Sequence, residues 1–142
     1  MQTFLPYPSF SESATVLDRA RLGKQRVENL QIMKALTLPG YGWRNHPAVK
    51  MWRGHECELM DYQNAICDEW VARGYADTCR DKTFAVHRDT DDTDHAEARP
   101  DWLGDPTFHL SHRSNLIRKD ATRYGLFWPD VPADLPYVWP GA

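Results

Sequence analysis

The chain has 142 residues, of which 42% are hydrophobic, and its formal net charge is −3. This length suits one domain with its own core, and no apolar run reaches the roughly 20 residues that a membrane helix needs. The N-terminus lacks a basic stretch followed by an apolar one, and the three cysteines show no CxxC spacing. We therefore expect one cytoplasmic domain with reduced thiols and without a secretion signal, membrane span or disulfide framework.

The first predicted helix follows an extended segment that contains Pro6 and Pro8. Ser11 or Ser13 can cap this helix, which is predicted to run to about Leu36. Small and apolar residues at helical spacing predict one buried stripe, formed by Val16, Ala20, Gly23, Val27 and Leu30. The polar group that we expect to face a ligand lies roughly opposite, and consists of Arg21, Lys24, Gln25 and Glu28.

A Pro-Gly-Tyr-Gly sequence ends the first helix, and a second one is predicted shortly after it. Pro47 suits the first turn of this helix, with Asn45 or His46 near the cap. Gly54 is expected to kink or interrupt the helix, and Gly74 to stop it. The residues predicted to point inward are Leu59, Tyr62, Ile66 and Trp70.

The C-terminal half begins with a polar, acidic and aperiodic segment, residues 83–101, which predicts a mobile loop or insertion. Asp105 and Pro106 then predict the cap and first turn of a third helix that reaches about Tyr124. The tail contains four prolines and is expected to be extended and pinned by its aromatic side chains. We predict an all-α, compact single domain of about three main helices with extended N- and C-terminal segments.

Positive charge is concentrated in residues 19–53, which hold eight cations and one anion. A field of one sign is what phosphate binding requires, although the acidic residues 54–79 could neutralise it. The DNA contacts predicted from this segment are Arg19, Arg21, Lys24, Arg26, Arg44, Asn45, Lys50 and Arg53. The third helix is predicted to complete a phosphate clamp, although cations near a helix end also suit the helix dipole; the clamp consists of Arg113, Arg118 and Lys119.

Several motifs occur together along the chain: the extended N-terminal segment, the Arg-rich first helix, the GWRNHP sequence at 42–47 and the RGY sequence at 73–75. In their order and spacing they resemble the pyrimidine-dimer DNA glycosylase/AP lyase family, the endonuclease V type of phages and bacteria. The resemblance covers residues 1–82 best and residues 102–139 more loosely. It implies a compact helical fold with a basic concave face and with the N-terminus in the active site.

The resemblance also implies a chemistry for that N-terminus. A free α-amine, partly neutral near pH 7, attacks C1′ of the damaged nucleotide and displaces the base. An imine results, and β-elimination can then cut the backbone. A carboxylate on the first helix stabilises the positive sugar, arginines hold the flanking phosphates, and a nucleotide leaves the base stack.

The sequence departs from the family pattern at the catalytic positions. Residue 2 is glutamine, whose bulk should hinder removal of the initiator, so we predict the Met1 amine as the nucleophile. Gln25 stands near the family's carboxylate position and is predicted to orient water or the sugar. Glu28, one turn later, is predicted to supply the carboxylate, or else it only pairs with Lys24. His46 is predicted to assist proton transfer or bind phosphate, or else to act as a helix cap.

We therefore predict a DNA glycosylase that excises a damaged or modified base from double-stranded DNA, in repair or in defence against modified phage DNA. AP-lyase activity is left open. We expect a monomer that requires no metal and no cofactor. The alternatives are a non-catalytic DNA-binding module of the same fold and a metal-dependent nuclease that uses His109 and His112. Trp43 or Trp52 is the tryptophan expected to stack on a base, if either does.

Overall fold

The computed structural model describes residues 1–88 and 99–140. In these ranges the chain forms seven helices and no strand, which confirms the predicted all-α class. Every helix there is too short or too polar to cross a membrane. The helices are α1 (Phe10–Val16), α2 (Arg19–Thr37), α3 (Pro47–Lys50), α4 (Glu56–Ala72), α5 (Cys79–Arg88), α6 (Pro106–Lys119) and α7 (Ala121–Phe127).

The predicted first helix is in fact two helices. Ser9 caps α1, earlier than predicted, by accepting a hydrogen bond from the Glu12 N–H at 3.2 Å. Leu17 and Asp18 then adopt extended backbone conformations, so α1 ends before α2 begins. The Asp18 carboxylate caps α2 through the Arg21 N–H at 3.2 Å and also binds the Arg21 guanidinium at 3.1 Å. Asp18 therefore both starts α2 and holds Arg21 beside its first turn.

The predicted third helix begins as expected and is then divided. Asp105 caps α6 by accepting a hydrogen bond from the Thr107 N–H at 3.0 Å. The helix ends at Lys119, because Asp120 leaves the helical conformation with a φ of −152°. The Asp120 carboxylate instead caps α7 through the Arg123 N–H. Aspartate favours such a position because its side chain competes with the helical backbone for hydrogen bonds.

The helices of the middle region begin and end near the proline and glycine residues predicted as their boundaries. Pro47 occupies the first turn of α3, and His46 caps it. Gly54, with a φ of +82°, separates α3 from α4, and Gly74, with a φ of +97°, follows the end of α4. Of the α4 residues predicted to point inward, Leu59, Tyr62 and Ile66 are fully buried and Trp70 is partly buried.

The prediction of an acidic loop is wrong for residues 83–88, which form the C-terminal part of α5. The helix starts where the Asp77 carboxylate accepts a hydrogen bond from the Cys79 N–H at 3.1 Å. Thr83 is fully buried on the face that packs toward α2 and α4, and its hydroxyl donates to the Cys79 carbonyl. Residues 89–98, the rest of the predicted loop before 99–101, lie outside the described residues.

Residues 2–7, the N-terminal strip, lie outside any helix or strand, and residues 3–6 are buried. A segment of this kind has no helical or strand partner to bond its amide groups, so side chains must supply partners. Side chains of the helices do so at successive residues of the strip. The pairs are Gln25 with Phe4, His112 and His109 with Leu5, Arg113 with Pro6, and Ser13 with Tyr7.

The apolar stripe predicted for the first helix is wrong. Val27 is 41% exposed and Ala20 is exposed, whereas Gln25 and Asn29 are fully buried. The Gln25 amide donates to the Asn29 side chain at 2.8 Å, and Asn29 donates to Gln63 of α4 at 3.0 Å. Polar residues therefore share the buried face of α2 with apolar ones such as Leu22 and Ile32, and Gln25 is buried where α2 meets the backbone of the N-terminal strip, whose amide groups need partners.

The buried ring of His112 makes the stability of the fold depend on pH. Its Nδ1 accepts the Leu5 N–H at 3.1 Å, which fixes the neutral ring with its proton on Nε2. Burial, with a smaller contribution from the neighbouring His109, lowers the pKa of His112 from 6.5 to about 3. The folded state therefore excludes a proton that the unfolded chain binds below about pH 6.5. Stability is complete above that pH and is lost progressively as the pH falls toward 3.

We expect a His112→Asn variant to flatten this pH dependence, because an asparagine oxygen can still accept from Leu5 and does not titrate. Chemical denaturation between pH 7.5 and 4 measures the slope. The slope should decrease by about 1.4 kcal/mol per pH unit below pH 6 relative to the wild type. The variant also loses ring contacts, so it can be less stable at pH 7.5, and only the slope tests the prediction. An unchanged slope would assign the acid sensitivity to other groups.

Candidate active-site cleft

A cleft of about 450 Å³ opens between the N-terminal strip, α2 and the C-terminal end of α6. Three cations and one carboxylate face the same space as the first residue of the chain. Two of the predicted catalytic residues, Met1 and Glu28, thus lie together with three of the predicted phosphate contacts, Arg21, Lys24 and Lys119. The lining residues are Met1, Gln2, Phe4, Ala20, Arg21, Lys24, Glu28 and Lys119.

The position of the Met1 amine is set by the residues that follow it. The Gln25 amide donates to the Gln2 carbonyl at 2.8 Å, and the Gln2 side chain donates to the Tyr137 hydroxyl at 2.7 Å. The Thr3 hydroxyl donates to the Ala48 carbonyl at 3.2 Å. The Met1 side chain is partly buried and packs against the core. The start of the chain is therefore fixed from several sides.

Glu28 brings a nearly buried carboxyl group to the cleft, since the residue is only 6% exposed. One of its oxygens lies 3.8 Å from Lys24 Nζ, and the other has no hydrogen-bond partner among the described residues. Burial raises the pKa of Glu28, against the opposing effects of the Met1 amine, Lys24 and the Gln2 backbone. A carboxyl whose pKa is raised by burial holds its proton more readily, and its buried second oxygen has no hydrogen bond within residues 1–88 and 99–140 to give up before it accepts a proton.

Gln25 lies behind the N-terminal strip and does not line the cleft. It is fully buried, and its two amide hydrogens are donated to Gln2 and Asn29 while its oxygen accepts from Phe4. The geometry therefore corrects the prediction that Gln25 orients water or the sugar. Its amide has no donor left for a substrate, and its contacts make it a residue that positions the N-terminal strip.

His46 lies in the loop before α3, where its Nδ1 accepts the Ala48 N–H at 3.1 Å. Burial lowers the pKa of His46, and so does the positive charge of the nearby Met1 amine. Both effects favour the neutral ring, with its proton on Nε2. His46 is thus the helix cap considered from the sequence, and it also lies close enough to the first residue to be affected by its charge.

The other predicted DNA contacts fall into two sets. Those on the surface stay predictions, and they are Arg19, Arg44, Asn45 and Arg53, which are exposed, and Lys50, which is partly exposed. Arg53 also donates to the Arg44 carbonyl at 2.8 Å, so the loop before α3 is tied to the residues after it.

The second set also has internal partners. Arg26 forms an ion pair with Asp77 at 2.7 Å, and its guanidinium lies 4.7 Å from the Trp70 ring centroid. Arg113 donates to the Pro6 carbonyl at 2.6 Å. Arg118 is exposed, and its guanidinium binds tail carbonyls, including that of Ala133 at 3.0 Å. These contacts use some of the donors of each guanidinium to stabilise the fold, and DNA contact by the three arginines stays a prediction.

Two features of this region bear on the other sequence predictions. His109 donates to the Leu5 carbonyl and accepts the Gly104 N–H, so both of its nitrogens are occupied, as is His112 Nδ1. Residues 1–88 and 99–140 contain no cluster of three side chains suited to hold a metal ion. The contact between Gln2 and Tyr137 was missed, because nothing local relates residues so far apart in sequence.

The fold and cleft define a class: a small helical protein whose first residue shares a cleft with a carboxylate and several cations. The sequence matches the pyrimidine dimer DNA glycosylase family over residues 1–83, which is more than half of the chain. The protein belongs to this family, whose function is that of a DNA glycosylase acting on a DNA substrate. No curated protein and no solved structure gives a match.

Proposed function

We propose that the protein removes a damaged or modified base from double-stranded DNA by attack of the Met1 α-amine and then cleaves the abasic site as a lyase. The observation that carries this proposal is the shared cleft, where the chain's first residue meets Glu28 and the cations Arg21, Lys24 and Lys119. An amine nucleophile, a carboxyl group and phosphate-binding cations are the groups that this reaction needs.

The first step exchanges one bond for another. The Met1 nitrogen bonds to C1′ while the bond from C1′ to the base breaks, and the electron pair leaves with the base. The departing base gains a proton, and the amine loses one. Ring opening then protonates O4′ and forms an imine between C1′ and the nitrogen. Glu28 is positioned to stabilise the cationic sugar and to carry these protons.

The lyase step follows from the imine, which acidifies the C2′ hydrogen. Loss of that proton to a base forms a C1′–C2′ enamine, and its electrons expel the 3′ phosphate as the C3′–O bond breaks. Glu28 is the candidate base, because its second oxygen has no hydrogen-bond partner in the described part of the chain. Hydrolysis of the remaining imine releases the enzyme.

Retention of Met1 is part of the proposal. The bulk of Gln2 opposes removal of the initiator, and the Met1 side chain packs against the core as part of the folded structure. A chain that begins at Gln2 would lose these contacts, and its amine could be consumed by cyclisation of the glutamine side chain. The mass of the intact protein therefore reports whether the nucleophile is present.

The deciding experiment incubates the protein with duplexes that carry a pyrimidine dimer, an abasic site or a bulky modified base, and then adds borohydride. Hydride reduces the imine carbon and leaves a stable secondary amine between protein and DNA. We expect an adduct whose peptide map places the DNA fragment on Met1. The absence of an adduct on all three duplexes would exclude the imine mechanism, and an adduct on Lys24 would reassign the nucleophile.

Lys119 provides a test of the phosphate-binding side of the cleft. A Lys119→Ala variant should bind duplex DNA more weakly, and the slope of log K against log salt should fall in magnitude by about 0.9, because one phosphate contact is lost. The matched control is Lys82→Ala, which removes an exposed cation of α5 outside the cleft lining. Equal slopes for both variants would remove Lys119 from the interface.

A further inference from the structure

Trp43 differs from the other tryptophans in its exposure. Trp52, Trp102 and Trp128 are buried in the core, and the Trp52 indole donates to the Thr3 hydroxyl at 3.1 Å. Trp52 therefore cannot stack on a base without dismantling the core. Trp43 is 62% exposed, so it leaves a large aromatic surface open to water. On DNA-binding surfaces, exposed aromatic rings stack on bases.

The backbone at Trp43 is also unusual. Its φ of +72° makes it the one residue other than glycine with a positive φ in residues 1–88 and 99–140. A bulky side chain is disfavoured in this conformation, and such strain is retained where the surrounding structure enforces it. Two contacts hold Trp43 in this conformation: its carbonyl accepts the His46 N–H at 3.0 Å, and the centroids of the two rings lie 6.0 Å apart in an edge-to-face arrangement.

The loop that carries Trp43 is tied to the start of the chain. His46 caps α3, and Ala48 in that helix accepts a hydrogen bond from Thr3 of the N-terminal strip. The charge of the Met1 amine is felt at His46, whose pKa it lowers together with burial. The loop of Trp43 is therefore connected through α3 to the N-terminal strip that carries the Met1 amine, and the exposed Arg44 follows Trp43 in sequence.

We propose that Trp43 is a wedge that enters the base stack beside the target nucleotide, so that the extruded nucleotide is held at the Met1 amine. This inference rests on the proposed glycosylase function and specifies how its substrate is recognised. An indole inserted between base steps replaces part of the lost stacking, and the contacts of Trp43 with His46 hold the indole in position. Lesions that already weaken the stack would be extruded most easily, which gives selectivity without hydrogen bonds to the base.

The test compares Trp43→Ala, Trp43→Phe and the control Phe84→Ala, which removes an exposed aromatic ring of α5. Each variant is given a dimer-containing duplex with 2-aminopurine beside the lesion, and separately a single-stranded abasic site that needs no unstacking. We expect Trp43→Ala to lose the 2-aminopurine brightening and to excise about 10- to 100-fold more slowly from the duplex. Its borohydride adduct on the single strand should stay within about threefold of the wild type. Trp43→Phe should retain most of both activities, and Phe84→Ala all of them.

Two results would overturn the wedge. One is wild-type brightening and excision by Trp43→Ala, and the other is an equal loss of its adduct on the duplex and on the single strand, which would mean a role in folding or chemistry. Failure of the glycosylase proposal gives a different pattern. The wild type would then form no adduct on either substrate, while brightening that depends on Trp43 would persist and support the wedge in a binding protein.

Discussion

A Glu28→Gln variant is expected to release base and to form the borohydride adduct about 100- to 10,000-fold more slowly than the wild type. Glutamine keeps the shape of the side chain but removes the negative charge and the capacity to move a proton. Because Glu28 is only 6% exposed, water screens its charge little and the charge acts strongly on a cationic sugar. Single-turnover excision on a dimer-containing duplex measures the loss.

The same substitution separates catalysis from folding. The raised pKa of Glu28 means that burial of its charge destabilises the fold at neutral pH, so glutamine should leave the melting temperature equal or higher. Affinity for the duplex should not fall, since one negative charge is removed next to DNA. The control Glu12→Gln, at an exposed position of α1, should change neither rate nor affinity. A fully active Glu28→Gln variant would contradict the proposed role of Glu28.

The helical class and several boundaries could be predicted from local signals. Pro47, Gly74 and the Asp105 cap mark ends that depend only on neighbouring residues, and the structure confirms them. The break at Asp18 and the start of α5 at Asp77 were missed, although both use an aspartate cap of the kind recognised at Asp105. They were missed because polar and basic residues around them obscured the change of conformation.

The polarity of α2 could not be predicted from periodicity. Its buried face mixes Gln25, Glu28 and Asn29 with apolar residues, so a search for continuous apolar spacing selects the wrong side of the helix. The reason lies outside the helix: the N-terminal strip crosses that face and needs hydrogen-bond partners for its backbone. Only the meeting of two segments about 20 residues apart reveals this need.

The site was better predicted than the packing around it. Charge density and the family resemblance brought Met1, Arg21, Lys24 and Glu28 to attention, and the structure places all four on one cleft. Charge alone did not separate surface cations from structural ones. Arg26 has an acidic partner 51 residues away, and such pairing leaves no sequence signal. The residues that position the Met1 amine are likewise distant in sequence.

Inserting one glutamine between Met1 and Gln2, a residue bulky enough to keep the initiator methionine in place, is expected to reduce the borohydride adduct by at least about 100-fold. The N-terminal strip is fixed in register, because Thr3, Phe4 and Leu5 each bind partners in different helices or loops. An added residue therefore cannot be absorbed by sliding and moves the amine by roughly 3.5 Å. A nucleophile displaced by even about 1 Å can lose a hundredfold in rate.

The insertion leaves every described contact of residues 2–7 available, so the chain should still unfold cooperatively, with a melting temperature lowered only by the displaced packing of the Met1 side chain. The salt dependence of DNA binding should match the wild type. Peptide mapping would show whether any residual adduct sits on the displaced methionine amine. Normal trapping by the longer chain would mean that the amine is not held by the strip, and the role assigned to Gln25 and its neighbours would be wrong. Loss of trapping with intact folding would instead support a fixed register of the N-terminal strip. The strip would then set the distance between the amine and the Glu28 carboxyl group, so that a buried segment without catalytic side chains determines the rate of the reaction.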